Sequence, residues 1–153
     1  MKNYELTRQE KSDYCIPACL QGILRRYGHE ISQEEIASNL DFGIEGEFFI
    51  NGKNIERFFI DFGLKYFVFR YNEIPRNSIN KFFDGNKDYF MLLNSHAELI
   101  LSFSDPTLIT LDPDDLSINE RNINKIIQEM SENNKGHFGV VRKKLAPRLK
   151  KVK

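Results

Sequence analysis

The chain has 153 residues, 41% of them hydrophobic and 29% charged, the make-up of one compact domain burying about two-thirds of its unfolded surface. No apolar run approaches the roughly 18 to 20 residues of a membrane span, and MKNYELTRQEKSDY lacks the apolar core of a signal peptide, so the sequence reads as cytoplasmic. The formal charge of zero, from 22 Lys+Arg against 22 Asp+Glu, hides a division. Seven bases and no acids lie in residues 142–153, so residues 1–141 carry 15 bases against 22 acids, a net of −7. This divides the chain into a domain at 1–141 and a basic tail at 142–153. An acidic body argues against nucleic-acid binding, which needs a basic face to replace phosphate counterions.

From Cys15, the run CIPACLQGILRRYG sets Ala18, Cys19, Gly22, Ile23 and Tyr27 on one stripe at spacings of three and four, predicting a helix stopped by Gly28. Pro17 suits its first turn, where no intrahelical acceptor needs the missing N–H. Ser32 and Glu35 form a capping box ahead of a short second helix. A connection at 41–50 leads into NGKNIERFFIDFG, a third amphipathic helix closed by Gly63. Beyond Gly63 the period changes. LKYFVFRY reads as an aromatic strand, followed by a short helical segment at Ser78–Phe83 and three apolar runs, YFMLLN, AELILSFS and TLITLD, expected as adjacent antiparallel strands. Ser117 and Glu120 repeat the capping-box pattern, predicting a helix from Ile118 to Glu132, and GHFGVVRK reads as a last strand. Helices first and a mostly antiparallel sheet second make an α+β domain.

The chemistry turns on two cysteines, Cys15 and Cys19, at the start of the first helix. A disulfide between them would close a trivial loop, and zinc needs three or four ligands that no second Cys pair or His cluster supplies. Neither a metal nor a cofactor is therefore expected. A free thiol is left. Unpaired N–H groups and the helix dipole at a helix N-terminus favour the thiolate, the nucleophilic form, and Cys15 holds that position. Cys19, one turn deeper on the apolar stripe, reads as a small buried hydrophobe.

A cysteine nucleophile needs a base, a group to orient the base, and donors for the oxyanion. His29 ends the helix that Cys15 begins, about 20 Å away at 1.5 Å per residue, and cannot serve. His96 opens the strand before the turn at Asp105-Pro106. If Ser104 pairs with Thr107 across that turn, Asp112 falls opposite Leu99 and a few residues from His96. Asp105, at the tip, is about 30 Å along the strand. Asp112 is therefore the expected orienter, with Asp114 and Asp115 as weaker candidates. His137 also starts a strand and is the rival base, but no acid follows it in the chain. The backbone N–H of Cys15 is one oxyanion donor, and Gln9, six residues earlier, can fold back to supply the other.

The ordered set Gln9, Cys15, His96 and Asp112 resembles the papain-like cysteine peptidases, and most of all the double-glycine leader peptidase family, whose domains occur at the N-terminus of bacteriocin-exporting ABC transporters and also alone. QEKSDYCIPACLQGILRRYG is similar to that family's Gln, six residues, then Asp-Cys-Gly-x-Ala-Cys-Leu running into a helix that ends Tyr-Gly. HAELILSFSDPTLITLDPDD is similar to its His-strand-turn-strand-Asp-Pro unit. The resemblance implies a papain-like fold with N-terminal helices on the sheet, and a cysteine peptidase acting on a peptide or protein. It makes Cys15 the nucleophile, His96 the base and then acid, Asp112 the orienter and Gln9 the oxyanion donor. With no transporter attached, partnership with an exporter would be in trans. Two residues depart from the family pattern. Tyr14 stands where the acid usually precedes the cysteine, and Ile16 stands for the Gly after it, adding a β-branched side chain where a substrate backbone would pass. The same site also fits acyl transfer such as glutamine deamidation or amide cross-linking, and a papain-like fold also serves as a non-catalytic peptide-binding module.

Overall fold

A computed structural model describes residues 1–43 and 48–144. Three helices come first: α1 (Cys15–Arg26), α2 (Gln33–Ser38) and α3 (Lys53–Ile60). Ser32 caps α2 by accepting the Glu35 N–H at 3.1 Å, as the sequence predicts. Part of the 41–50 connection, residues 44–47, lies outside the described residues. Next come β1 (Leu64–Arg70), the single turn α4 (Ile79–Phe82), β2 (Asp88–Leu93), β3 (His96–Ser104), β4 (Thr107–Leu111), β5 (Ile118–Asn122), α5 (Ile123–Asn133) and β6 (His137–Lys143). All six strands join one sheet in the order β1-β6-β2-β3-β4-β5, every pairing antiparallel. The last strand is thus inserted between the first two. The basic tail expected from Arg142 begins inside β6, where Arg142 and Lys143 pair with Lys65 and Leu64, and residues 145–153 lie outside the described residues.

The helix expected from Ile118 does not start there. The segment from Ile118 is a strand, with Ile118–Asn122 running opposite Thr107–Leu111, and the helix starts only at Ile123. Asn122, not Ser117, is its cap, accepting the N–H groups of Asn124 and Lys125. Ser117 and Glu120 match a capping box by type and spacing, but the open edge of β4 recruits these residues into the sheet, and tertiary pairing overrides the local signal.

The sheet carries helices on both faces. On one, α1 to α3 pack Leu20, Ile23, Leu24, Ile36, Ile55 and Phe59 against Phe90, Ala97, Leu99 and Val141. On the other, Ile123, Ile126 and Met130 of α5 pack against Met91, Ile100, Leu108 and Phe138. Burying one such side chain contributes about 1.5–3 kcal/mol. Two glycines allow close approach. A Cβ at Gly22 would lie 3.1 Å from Leu6 and 3.2 Å from Leu99, so its absence lets α1 settle onto β3, and one at Gly139 would strike the Phe90 ring at 2.2 Å.

Candidate active site

Cys15 is the first residue of α1, and no side chain caps that helix. The Tyr14 N–H turns back to the Lys11 carbonyl at 3.0 Å, and Ala18 donates to the Tyr14 carbonyl at 2.9 Å, which closes the first helical turn. Pro17 lacks an N–H, and the first-turn N–H groups at Cys15 and Ile16 meet neither a side-chain cap nor a first-turn acid. The thiol is largely buried and donates to the Ser95 carbonyl at a long 3.9 Å. Cys19 is fully buried, and desolvation pushes its thiol well above the usual range, in keeping with an inert core residue. Ile16 is only 3% exposed and packs in the helix-side core.

His96 reaches Cys15 because β2 and β3 are joined by a two-residue turn, Asn94-Ser95, with φ of +50° and +66°. Positive φ at both positions is the twist a tight hairpin requires. Helix α5 and the residues after it clamp this turn: Asn94 donates to Glu129 at 2.8 Å, Asn133 donates to Asn94 at 3.2 Å, and Lys135 Nζ reaches Ser95 Oγ at 2.9 Å. The imidazole Nε2 donates to Asp112 Oδ1 at 2.8 Å. Hydrogen bonding to Cys15, then the bond and charge of Asp112, outweigh desolvation and raise the ring's pKa from 6.5 to about 9. Asp112 Oδ1 also accepts the Asp114 N–H at 2.8 Å, which fixes the carboxylate.

Asp112 meets His96 through a feature absent from the expected register. Ser104 does pair with Thr107, but a bulge at Leu101 shifts the ladder so that Leu99 faces Leu111, not Asp112. One residue of slip moves a strand's side chains to the opposite face. Without the bulge, Asp112 would share the face of Leu99. With it, the register continued by one residue sets Asp112 beside Glu98, on the face of His96. The Leu101 carbonyl in the bulge accepts the Lys2 N–H at 3.0 Å. The N-terminal segment then runs on to the Asp112 turn, where Arg8 donates to the Asp114 carbonyl and the Gln9 N–H donates to the Pro113 carbonyl at 2.8 Å.

Gln9 thus lies between the Asp112 turn and the loop before Cys15. Its Nε2 donates to the carbonyls of Lys11 and Ser12 at 3.2 and 3.1 Å, and its buried Oε1 finds no partner among the described residues. Asp114 and Asp115 belong to the turn, and Asp115 accepts the Ser117 N–H at 2.9 Å. Asp105 is at the hairpin tip. His29 lies beyond the end of α1 with its ring 4.8 Å from that of Phe62. His137 pairs with Arg70 and Leu92, and burial lowers its pKa, with Arg70 adding to the effect. Sequence reasoning missed Glu98, 3% exposed on the His96 face, which accepts hydrogen bonds from Thr110 at 2.6 Å and from Arg121 at 2.5 and 3.0 Å. Its position two residues after His96 was a usable signal. Donor atoms of His96, Glu98 and Asp112 lie within 4.8 Å of one another, but each already has a protein partner. Beside Tyr14, a hollow of about 380 Å³ is lined by Lys11, Asp13, Glu34, Ala37, Phe42 and Phe48.

Two solved structures share this architecture. The peptidase domain of Streptococcus ComA, a bi-functional ABC transporter of a quorum-sensing pathway, superposes with a TM-score of 0.64 at 14% identity, covering 92% of this chain and 100% of that one. A double-glycine-motif protease from an AMS/PCAT transporter, solved in complex with the leader peptide, gives 0.60 at 14% identity, covering 92% and 90%. The chain has the fold of these transporter peptidase domains. No family model and no curated protein matches it. This α+β, papain-like arrangement is the one expected, and among the described residues no helix is long and apolar enough to cross a membrane.

Proposed function

We propose that this chain is a cysteine peptidase that cleaves a peptide bond through Cys15, His96 and Asp112. The observation that carries the reading is His96 bonded to Asp112 at 2.8 Å and raised to about 9 with Cys15 as its largest influence. With Nε2 committed to Asp112, Nδ1 is the nitrogen left to exchange a proton with the thiol. With its proton already passed to His96, Cys15 Sγ attacks the peptide carbonyl carbon, and the imidazolium gives that proton to the leaving amine as the C–N bond breaks. Water then attacks the thioester while His96 takes its proton, and the C–S bond breaks to free the new carboxylic acid and return the Cys15–His96 pair with its one shared proton. The N–H of Cys15, at an uncapped helix start, donates to the oxyanion. Gln9 supplies the second donor by exchanging one of its two loop carbonyls for it.

Fold similarity to a protease solved with its leader peptide favours leader processing as the substrate class, and the aromatic hollow beside Tyr14 offers a place for an apolar peptide side chain. On this reading the partner that receives the product is an exporter acting in trans, and the reaction takes place in the cytoplasm. The test is mass spectrometry of peptides, double-glycine leaders among them, after incubation with the chain and with Cys15→Ala. Two fragments whose masses sum to the peptide plus one water, formed only when Cys15 is present, are expected. An intact peptide shifted by the difference between an amide and an acid would make the enzyme a deamidase, and no Cys15-dependent change would remove the catalytic reading.

A further inference from the structure

Two carboxylates crowd one imidazole. Glu98 and Asp112 project from the same sheet face as His96, and donor atoms of all three lie within 4.8 Å of one another. Both are acceptors for a ring N–H, yet only Asp112 is bonded to the ring. Glu98 is held elsewhere, with Oε1 taking Thr110 Oγ1 and Arg121 Nε and Oε2 taking Arg121 Nη2. The guanidinium fork sets both the direction and the charge of its partner, because two parallel N–H groups match two carboxylate oxygens. Arg121 stands in β5 opposite Leu108, two residues from Asn119, which faces Thr110. It therefore shares the face of Thr110 and reaches Glu98 across β4. The ionisable groups around the ring are Cys15 from α1, Glu98 on its own strand, Asp112 from the turn after β4 and Arg121 from β5, with Lys135 approaching through Ser95.

We propose that Arg121 is a positioning residue, whose fork holds Glu98 away from His96 so that Asp112 alone takes the Nε2 proton and Nδ1 stays turned to Cys15. The proposal rests on the thiol-peptidase reading for its purpose, but not for its test. Freed of Arg121, Glu98 competes for the ring, draws it off Cys15 and adds an uncompensated negative charge beside it.

The experiment measures two quantities in the folded chain: the rate at which iodoacetamide alkylates Cys15 at neutral pH, and the His96 titration midpoint by NMR. Arg121→Met is expected to slow alkylation about tenfold and to move the midpoint up by about one unit, since an added negative charge favours the imidazolium. Arg121→Lys keeps the charge without the fork and should fall between. Glu98→Gln combined with Arg121→Met removes both charges and should return rate and midpoint toward the unmodified chain. A purely structural role in β5 predicts instead that the double variant is no better than Arg121→Met, and that result overturns the proposal. So does an Arg121→Met protein with unchanged rate and midpoint. If Arg121→Met does not fold, Arg121→Lys against Arg121→Lys with Glu98→Gln makes the same comparison. If Cys15 of the unmodified chain reacts no faster than free cysteine, the peptidase reading fails, while the midpoint shift still decides the role of Arg121.

Discussion

Asp88, at the start of β2, and Asp112, in the turn just beyond β4, differ in how completely they are enclosed and by what. Asp88 is wholly buried and accepts the Tyr4 hydroxyl, the Tyr27 hydroxyl at 2.6 Å and Arg26 Nε at 2.8 Å, with Lys2 Nζ 3.7 Å away. Burial first, and then the charge and hydrogen bond of Asp88, push the Tyr4 hydroxyl far above its usual range. These partners come from the N-terminal segment and the end of α1, so the carboxylate ties three distant pieces of chain together. Asp112 keeps 18% of its side chain exposed, and its Oδ1 is shared by a titratable ring and one backbone N–H. The contrast separates structure from chemistry. A carboxylate enclosed by donors that do not titrate near neutrality is a fastener, whereas one that shares an oxygen with an imidazole beside a thiol can tune proton transfer.

The largest effect expected from this contrast is on rate. Asp112→Ala should lower peptide cleavage on the order of 10³- to 10⁴-fold, since it frees the base from its orienter, with little change in thermal midpoint. Equal loss of stability would erase the distinction. Asp88→Ala should do the reverse, costing about 3–5 kcal/mol in denaturant unfolding because Arg26 and Lys2 lose their common partner, while the folded protein alkylates at Cys15 at the normal rate. Asp112→Asn keeps an acceptor but no charge, so the His96 midpoint should fall below about 9 in an NMR titration, while the larger contribution of Cys15 remains. The same shift predicts a pH dependence of stability. Because folding raises the pKa of His96, its contribution is complete below about pH 6.5 and is lost as the pH climbs through about 9. The decline in thermal midpoint across that window should flatten in Asp112→Asn. The smallest effect belongs to a site remote from both carboxylates, where Ser32→Ala should remove the α2 cap at a cost of about 1 kcal/mol and leave Cys15 alkylation unchanged.

Much of the site was legible because local rules govern it. The stripe from Ala18 to Tyr27 and Pro17 in the first turn placed Cys15 at a helix start, and the turn residues Asp105-Pro106 paired Ser104 with Thr107. The bulge at Leu101 was not legible. Nothing in LILSFS marks it, because the extra residue is accommodated by Lys2, a hundred residues earlier. Strand β5 was hidden by a false capping box, and with it went the placing of Arg121 opposite Leu108. The insertion of β6 between β1 and β2 is likewise a matter of which edges are open, a property of the assembled sheet rather than of any segment.

The most direct test of the central claim is intact-mass analysis of the chain after brief exposure to a peptide bearing a thiol-directed electrophile. One adduct is predicted, mapped to Cys15, lost in Cys15→Ala, greatly slowed in His96→Ala and kept in Cys19→Ala. Equal labelling of Cys15→Ala and the unmodified chain would contradict the account.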